Sequence, residues 1–426
     1  MSISPETCSH YTTRDPPSQP PKGGYDFLSH TLDTLESLPA VQKTLESIGE
    51  ARRNGRPGYP PRVMFRTYCM RFLLTERFTV GFVERLKGSP RLREICGLAD
   101  RVPSNATFSR FFTRMLESGF DVEQAIAQVA ERVRGGRPGT GQVVAVDSTD
   151  IEAWANPNRA DVADTNARWG YRTSKNKSGG KDGKKKKTEL FFGYKMHSLV
   201  DVEDGTPLVH IFLPANVNDS RILPLLVEKA EQTYGWFSPE YLLADRGYDS
   251  QANHKFLYDR SVKPIILPRK PTAHDGLYDG IYHKSGSPVC DDGKTPMEYV
   301  GTDQETGWHK FRCPPSGCAM KAKSNGAMRY CDTAALWVHP EENLRALGVV
   351  ARAGPRWPEL YRRRQVIERM FGSLKRSRLL NKHQRLRSDK IEFHVGISVL
   401  TYAVTMLGHV RAGDPEKMRH MRIRIG

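Results

Sequence analysis

Two short apolar runs, VVAV at 143–146 and YLLA at 241–244, each end in an aspartate, Asp147 and Asp245. No other feature limits the fold of this chain so closely. Runs of this length and composition read as strands. In open α/β sheets, sites form where strands end in their carboxyl termini. A strand-end aspartate taken alone is more often a cap than a catalyst. Two of them in one basic chain are harder to dismiss. Asp150 and Asp249, a few residues further on, read as turn or capping residues.

The segments around these runs carry the pattern of a mixed sheet. LFFGYKMHSLVDV (190–202) and TPLVHIFLP (206–214) read as strands joined at Glu203-Asp204-Gly205, a good hairpin turn. DSRILPLLVEKAEQ (219–232) and NHKFLYDR (253–260) read as helices and VKPIILP (262–268) as a further strand. Three antiparallel strands followed by alternating helices and strands imply a mixed sheet with helices on its faces. Within it, TSKNKSGGKDGKKKKTE (173–189) is too polar and glycine-rich to fold alone and reads as a solvated cationic loop.

Upstream of RGGRPGTG (134–141), a linker by composition, the periodicity is helical instead. In RVPSNATFSRFFTRML (101–116), Ser104 is placed to cap a helix whose Phe108, Phe111, Phe112 and Met115 form one apolar stripe. Its other face shows Asn105, Ser109, Arg110 and Arg114, residue types that suit phosphates and base edges. Short helices ending in such a helix resemble a helix-turn-helix-like module. A formal net charge of +17 favours a polyanionic partner, with nucleic acid first. At 426 residues there is room for two or three domains. The N-terminal segment lacks the apolar core of a signal peptide and reads as a disordered tail. No apolar run reaches the ~18 residues of a membrane span, and VGISVLTYAVTML (395–407) reads as a buried helix. Seven cysteines without a secretion signal point to a reduced, cytosolic compartment.

Residues 271 to about 350 interrupt the α/β pattern and carry Cys290, Cys313, Cys318 and Cys331. CPPSGC has a spacing allowed for half of a zinc site. The other two cysteines are isolated, and buried or free thiols are the competing reading.

YRRRQVIERMFGSLKR (361–376) has a single acid, Glu368, among its basic residues. Trp357-Pro358 can start a helix through it. At ~100° per residue, Tyr361, Arg364, Glu368 and Lys375 then share an arc of roughly 60°, beside an apolar stripe of Leu360, Ile367, Met370, Phe371 and Leu374. An i,i+4 pair between Arg364 and Glu368 contributes only a few tenths of a kcal/mol, and it does not require four polar residues on one stripe.

The spacing Y-x2-R-x3-E-x6-K resembles the third-acid signature of a large group of bacterial insertion-sequence transposases of the DDE type. VVAVDSTDIEAW resembles that family's first-strand motif, and ADRGYDS its D-x-G-Y motif through Asp245, Gly247 and Tyr248. ARWGYRT, FGYKMHSLVD, PANVNDSRILPLL and the helical segment from PPRVMFRTYCMRFLL to RVPSNATFSRF are further likenesses, and together they cover most of residues 60 to 410.

The resemblance implies an α/β, ribonuclease H-like mixed-sheet catalytic core. An all-helical DNA-binding domain would precede it and an insertion subdomain would interrupt it. The boundaries expected are a tail at 1–24, the helical domain at 25–137, the core at 138–270 and 351–415, the insertion at 271–350 and a basic tail at 416–426. Asp147, Asp245 and Glu368 would be the catalytic metal ligands. Three carboxylates suit one or two Mg²⁺ ions, with Mn²⁺ as a substitute. Arg364 and Lys375 would hold DNA phosphates, and Tyr361 would position a strand. The expected partners are terminal inverted repeats and target DNA, bound by a homodimer in the bacterial cytoplasm at the nucleoid. Two other readings stay open: a non-catalytic DNA-binding protein derived from a transposase, and a metal-dependent nuclease without strand transfer.

Overall fold

The computed structural model describes residues 24–51, 58–158, 163–175, 186–271, 276–290, 292–315 and 335–413, with 421, 423 and 425. By contact the chain divides into two units. One takes in the chain up to Gly136 with Ser373–Arg385 and the residues from Asp389 onward; the other is Arg137–Gly372 with Leu386–Ser388.

The first unit is helical: α1 (Gly24–Glu36), α2 (Pro39–Glu50), α3 (Pro61–Leu73), α4 (Thr79–Gly88), α5 (Pro90–Cys96), α6 (Asn105–Glu117) and α7 (Val122–Gly136), with a long C-terminal helix, Ser388–Arg411. Pro39, Pro61 and Pro90 stand in first turns, where a missing N–H leaves no helix bond unmade. α6 has the expected form. Ser104 Oγ accepts from the Thr107 N–H at 3.3 Å, and Phe108, Phe111, Phe112 and Met115 are buried. Asn105, Ser109, Arg110 and Arg114 are exposed, Arg110 facing away from this stripe and Asn105 bordering it.

The C-terminal helix is buried at every residue from Phe393 to His409. A helix apolar on all sides needs cover on all sides, and the N-terminal helices supply it. Phe393 meets Phe112 and Phe120 edge-on, and His409 stacks on Phe27 at 4.7 Å. A Cβ on Gly396 would come within 2.9 Å of Val122 Cγ1, so the approach to α7 needs glycine. Residues 351–415, expected as one second part of the core, are therefore divided by contact at Ser373.

The second unit holds a six-stranded sheet of β1 (Val143–Glu152), β2 (Arg168–Lys175), β3 (Lys186–Asp201), β4 (Pro207–Pro214), β5 (Tyr241–Ala244) and β6 (Lys263–Ile266). β1 lies between antiparallel β3 and parallel β5, and β6 runs parallel outside β5. β3 pairs with β2 along its first half and with β4 along its second. α8 (Ile222–Thr233) and α9 (Gln251–Tyr258) join β4 to β5 and β5 to β6.

β2 is absent from the sequence expectation because it carries no buried alternation. Its Trp169 and Tyr171 are exposed, as is Leu190 opposite Tyr171. The ends of the lysine-rich segment, expected as loop, extend this ladder as far as Lys175 opposite Lys186. Its centre, 176–185, lies outside the described residues.

The insertion reads as strand-poor in sequence, yet it contains a three-stranded antiparallel sheet, β7 (Glu298–Thr302), β8 (His309–Arg312) and β9 (Ala335–Val338). Tyr278, Tyr282, Phe311, Val338, Ala346 and Leu347 form its core. A polar residue completes β8 from inside: His309 Nδ1 lies 2.9 Å from Thr302 Oγ1 and Nε2 lies 2.8 Å from the Gly348 carbonyl. Cys290 is buried and Cys313 partly exposed. Cys318 and Cys331 lie outside the described residues.

Candidate active site

Parallel pairing sets Val146 beside Ala244 and stops there, so Asp147 and Asp245 follow at the same level of the sheet. Asp245 ends β5 as expected, but Asp147 does not end its strand, because β1 continues to Glu152 along β3. Asp147 Oδ1 accepts from the Ser148 N–H at 2.8 Å, and Asp245 Oδ1 accepts from the Gly247 N–H at 2.7 Å. Burial and repulsion from Asp245 push the Asp147 carboxyl up to about 7, against the pull of Arg364. Burial raises Asp245 as well. Two carboxylates so placed call for positive charge.

The third acid arrives on a broken helix. Where the sequence predicts one helix, there are two, α10 (Arg356–Arg362) and α11 (Gln365–Ser377). Between them the N–H groups of Arg363, Arg364, Val366 and Ile367 each bond to the carbonyl three residues back. This is the tighter 3₁₀ pattern rather than the α pattern. From that turn Arg364 Nη1 donates to Asp147 Oδ2 at 2.6 Å, while its Nη2 pairs with Glu368 Oε1. Trp357 stacks on Tyr361 at 5.1 Å, and the Arg364 guanidinium lies 5.7 Å from the Tyr361 ring centre. Through Arg364, Tyr361 and Glu368 are thus grouped beside Asp147. Lys375 lies two turns further along α11 and groups by contact with the helical unit. Asn105, Arg110 and Arg114 belong to that unit as well.

Beside these residues stands an acid that the sequence reading does not assign to the site. Asp219 Oδ1 accepts from Lys195 Nζ at 2.8 Å, and its Oδ2 lies 3.3 Å from Ser148 Oγ. A Cβ on Gly247 would fall 3.0 Å from Asp245 Oδ1 and 3.2 Å from Asp219 Oδ2, so two carboxylates flank a position with little room for a larger residue. Tyr248, fully buried, places its hydroxyl 3.0 Å from His197 Nδ1. Burial lowers His197 to about 4, so this ring is neutral near pH 7. Asp150 and Asp249 lie aside, in structural roles. Asp150 accepts from Arg172 at 2.8 Å, and Asp249 is held by Arg345 and the Arg269 N–H.

The donor set suits a hard divalent cation, since ionised carboxylates offer oxygen acceptors alone. Among the described residues, however, no three acidic, histidine or cysteine side chains stand at ligand spacing. The Arg364 guanidinium lies between Asp147 and Glu368 and holds an oxygen of each. Glu368 is 54% exposed against 16% for Asp147.

The chain also matches known proteins. Residues 138–313 match the family described as Transposase DDE domain, and residues 18–114 the Transposase domain (DUF772). The chain is 37% identical over 86 residues to the "Putative transposase for insertion sequence element IS402" of Burkholderia cepacia, a match spanning 19% of this chain and 41% of that protein. It is 29% identical over 244 residues to the "Transposase for insertion sequence element IS1106" of Neisseria meningitidis serogroup B, spanning 57% of this chain and 72% of that one. Among solved structures, the piggyBac transposase synaptic complex with hairpin DNA aligns over 92% of this chain and 76% of its own. Its TM-score of 0.40 and 7% identity are too low to speak for the fold. Two transposase-domain matches in succession, together with two insertion-sequence relatives, show that the chain is similar to the insertion-sequence DDE transposases.

Proposed function

We propose that the protein is a DNA transposase that binds the terminal inverted repeats of an insertion sequence and cuts and joins DNA at Asp147, Asp245 and Glu368. The convergence of Asp147 on β1 and Asp245 at the end of β5 with the broken third-acid helix carries this reading. The strand order β4-β3-β1-β5-β6, with β3 antiparallel to β1, supports a ribonuclease H-like core. In such a core the strands of the first two acids lie side by side and the third-acid helix packs across them.

Mg²⁺ is the cation that hard carboxylates and phosphate chemistry favour, as two ions, with Mn²⁺ as substitute. When bound, it supplies activation of the attacking oxygen and stabilisation of the leaving oxygen. The chain does the rest. The three acids hold and orient the cations, Arg364 and Lys375 bind phosphate, and Tyr361, backed by Trp357, positions a strand. On α6, Asn105, Arg110 and Arg114 face the repeat DNA. Residues 25–137 serve as the DNA-binding domain, and 271–350 as a subdomain at the rim of the active site. An element has two ends, so a homodimer is the working form, acting on bacterial DNA in the cytoplasm at the nucleoid.

The test is an assay with a repeat-end duplex, a plasmid target and Mg²⁺. The expected products are cut ends and ends joined to the plasmid. Cutting without joining would leave a nuclease; binding without cutting would leave a DNA-binding protein.

A further inference from the structure

Resting on the metal-site reading above, we infer that Arg364 is the resident counter-ion of the carboxylate site and the link between DNA contact and cation binding. Without DNA it holds the oxygens a divalent cation needs; a DNA phosphate draws it away.

Both oxygens of Asp147 are engaged, Oδ1 by the Ser148 N–H at 2.8 Å and Oδ2 by Arg364 at 2.6 Å. The other arm of the same guanidinium holds Glu368 Oε1. A planar fork of donors can span two carboxylates at once, the same acids that would hold a cation. A cation taking Asp147 Oδ2 and Glu368 Oε1 would therefore compete with Arg364 for them. Arg364 is 13% exposed and Asp147 16%, so in that arm of the exchange, shielded from bulk water, charge counts for more. Asp219 does not share this counter-ion, because Lys195 serves it at 2.8 Å.

The surroundings allow the exchange. Arg364 stands at the tightened turn between α10 and α11, and short 3₁₀ stretches within helices often act as hinges. The Tyr361 ring, 5.7 Å from the guanidinium and stacked on Trp357, offers a second resting place beside the site. Phosphate is a bidentate partner for arginine as strong as carboxylate. Binding linkage is reciprocal, so DNA tightens cation binding and the cation tightens DNA binding by one factor.

The experiment is a Mn²⁺ titration of the full chain at about pH 8, where carboxylates are ionised. Calorimetry or electron paramagnetic resonance reads the dissociation constant, with and without a pre-cut repeat-end duplex. Arg364→Gln is expected to bind Mn²⁺ about tenfold more tightly than wild type without DNA, and to gain little more from DNA. Wild type is expected to gain about that factor from DNA. Arg364→Lys, which keeps the charge without the fork, falls between and guards against misfolding in the glutamine variant. The inference is overturned if DNA-free Arg364→Gln binds Mn²⁺ no more tightly than wild type, or if DNA tightens both equally. Asp147→Asn and Asp245→Asn separate the two levels. If they keep wild-type Mn²⁺ affinity, the metal-site reading falls, and the inference with it. If they lose it while Arg364→Gln shows no gain, only the inference falls.

Discussion

Asp249, fully buried just past β5, lies 3.2 Å from His254 Nε2 and accepts from the Arg269 N–H at 2.7 Å and from Arg345 Nη2 at 2.8 Å. Burial alone would raise its carboxyl, but these partners outweigh burial and hold it at about 2, below its ordinary 3.8. A folded value below the unfolded one gives stability that is fully present above about pH 4 and is lost as pH falls toward 2. The amount is about 2 kcal/mol. Asp249→Asn is expected to cost about 3 kcal/mol near pH 7, because Arg345 is left without its carboxylate. It should also flatten the loss of stability between pH 4 and pH 2, which urea unfolding across that range measures. Equal stability of mutant and wild type at pH 7 would contradict this account. At this scale the sequence singled out residues that the structure brings together, Asp147, Arg364 and Glu368, with Asp245 on the neighbouring strand. Asp219 was hidden because it also reads as the first residue of a helix. Only the register of β1 on β3, with Ser148 opposite His197 and Asp150 opposite Lys195, brings its partners to it.

α6 shows how far periodicity carries at the scale of an element. Its cap, its phenylalanine stripe and its exposed arginine face were all readable, since one side is buried and the other is not. β2 and β9 were not readable, because their side chains stand largely exposed and leave no apolar alternation. The break between α10 and α11 was hidden for another reason. An ideal 100° step cannot show that Arg364 is turned toward a carboxylate on a strand far away in sequence. For α6, Arg110→Ala and Arg114→Ala are each expected to lower the slope of log affinity against log salt by about 1 for repeat DNA. Thermal stability should stay within about 0.5 kcal/mol, since both side chains are exposed. Filter binding from low to moderate salt measures the slope. An unchanged slope in the double variant would remove α6 from the DNA interface.

On the scale of the whole molecule, the C-terminal helix closes the helical unit that the N-terminal helices begin. Truncation before residue 138 would strip cover from a helix buried from Phe393 to His409, so DNA contact is better probed by point substitution. The sheet unit holds Asp147, Asp245, Arg364 and Glu368, and the competing account of its centre is simple. Arg364 and Glu368 are i,i+4 partners in an ion pair, and such a pair contributes only a few tenths of a kcal/mol on an exposed helix. The two accounts separate in one measurement: Mg²⁺-dependent nicking of a repeat-end duplex by Glu368→Ala, run beside binding to the same DNA. Loss of nicking with binding retained is predicted, and Asp147→Ala and Asp245→Ala should behave alike because the three act as one unit. Nicking by Glu368→Ala at near the wild-type rate would show that the glutamate is only a partner for its arginine, and would contradict the account.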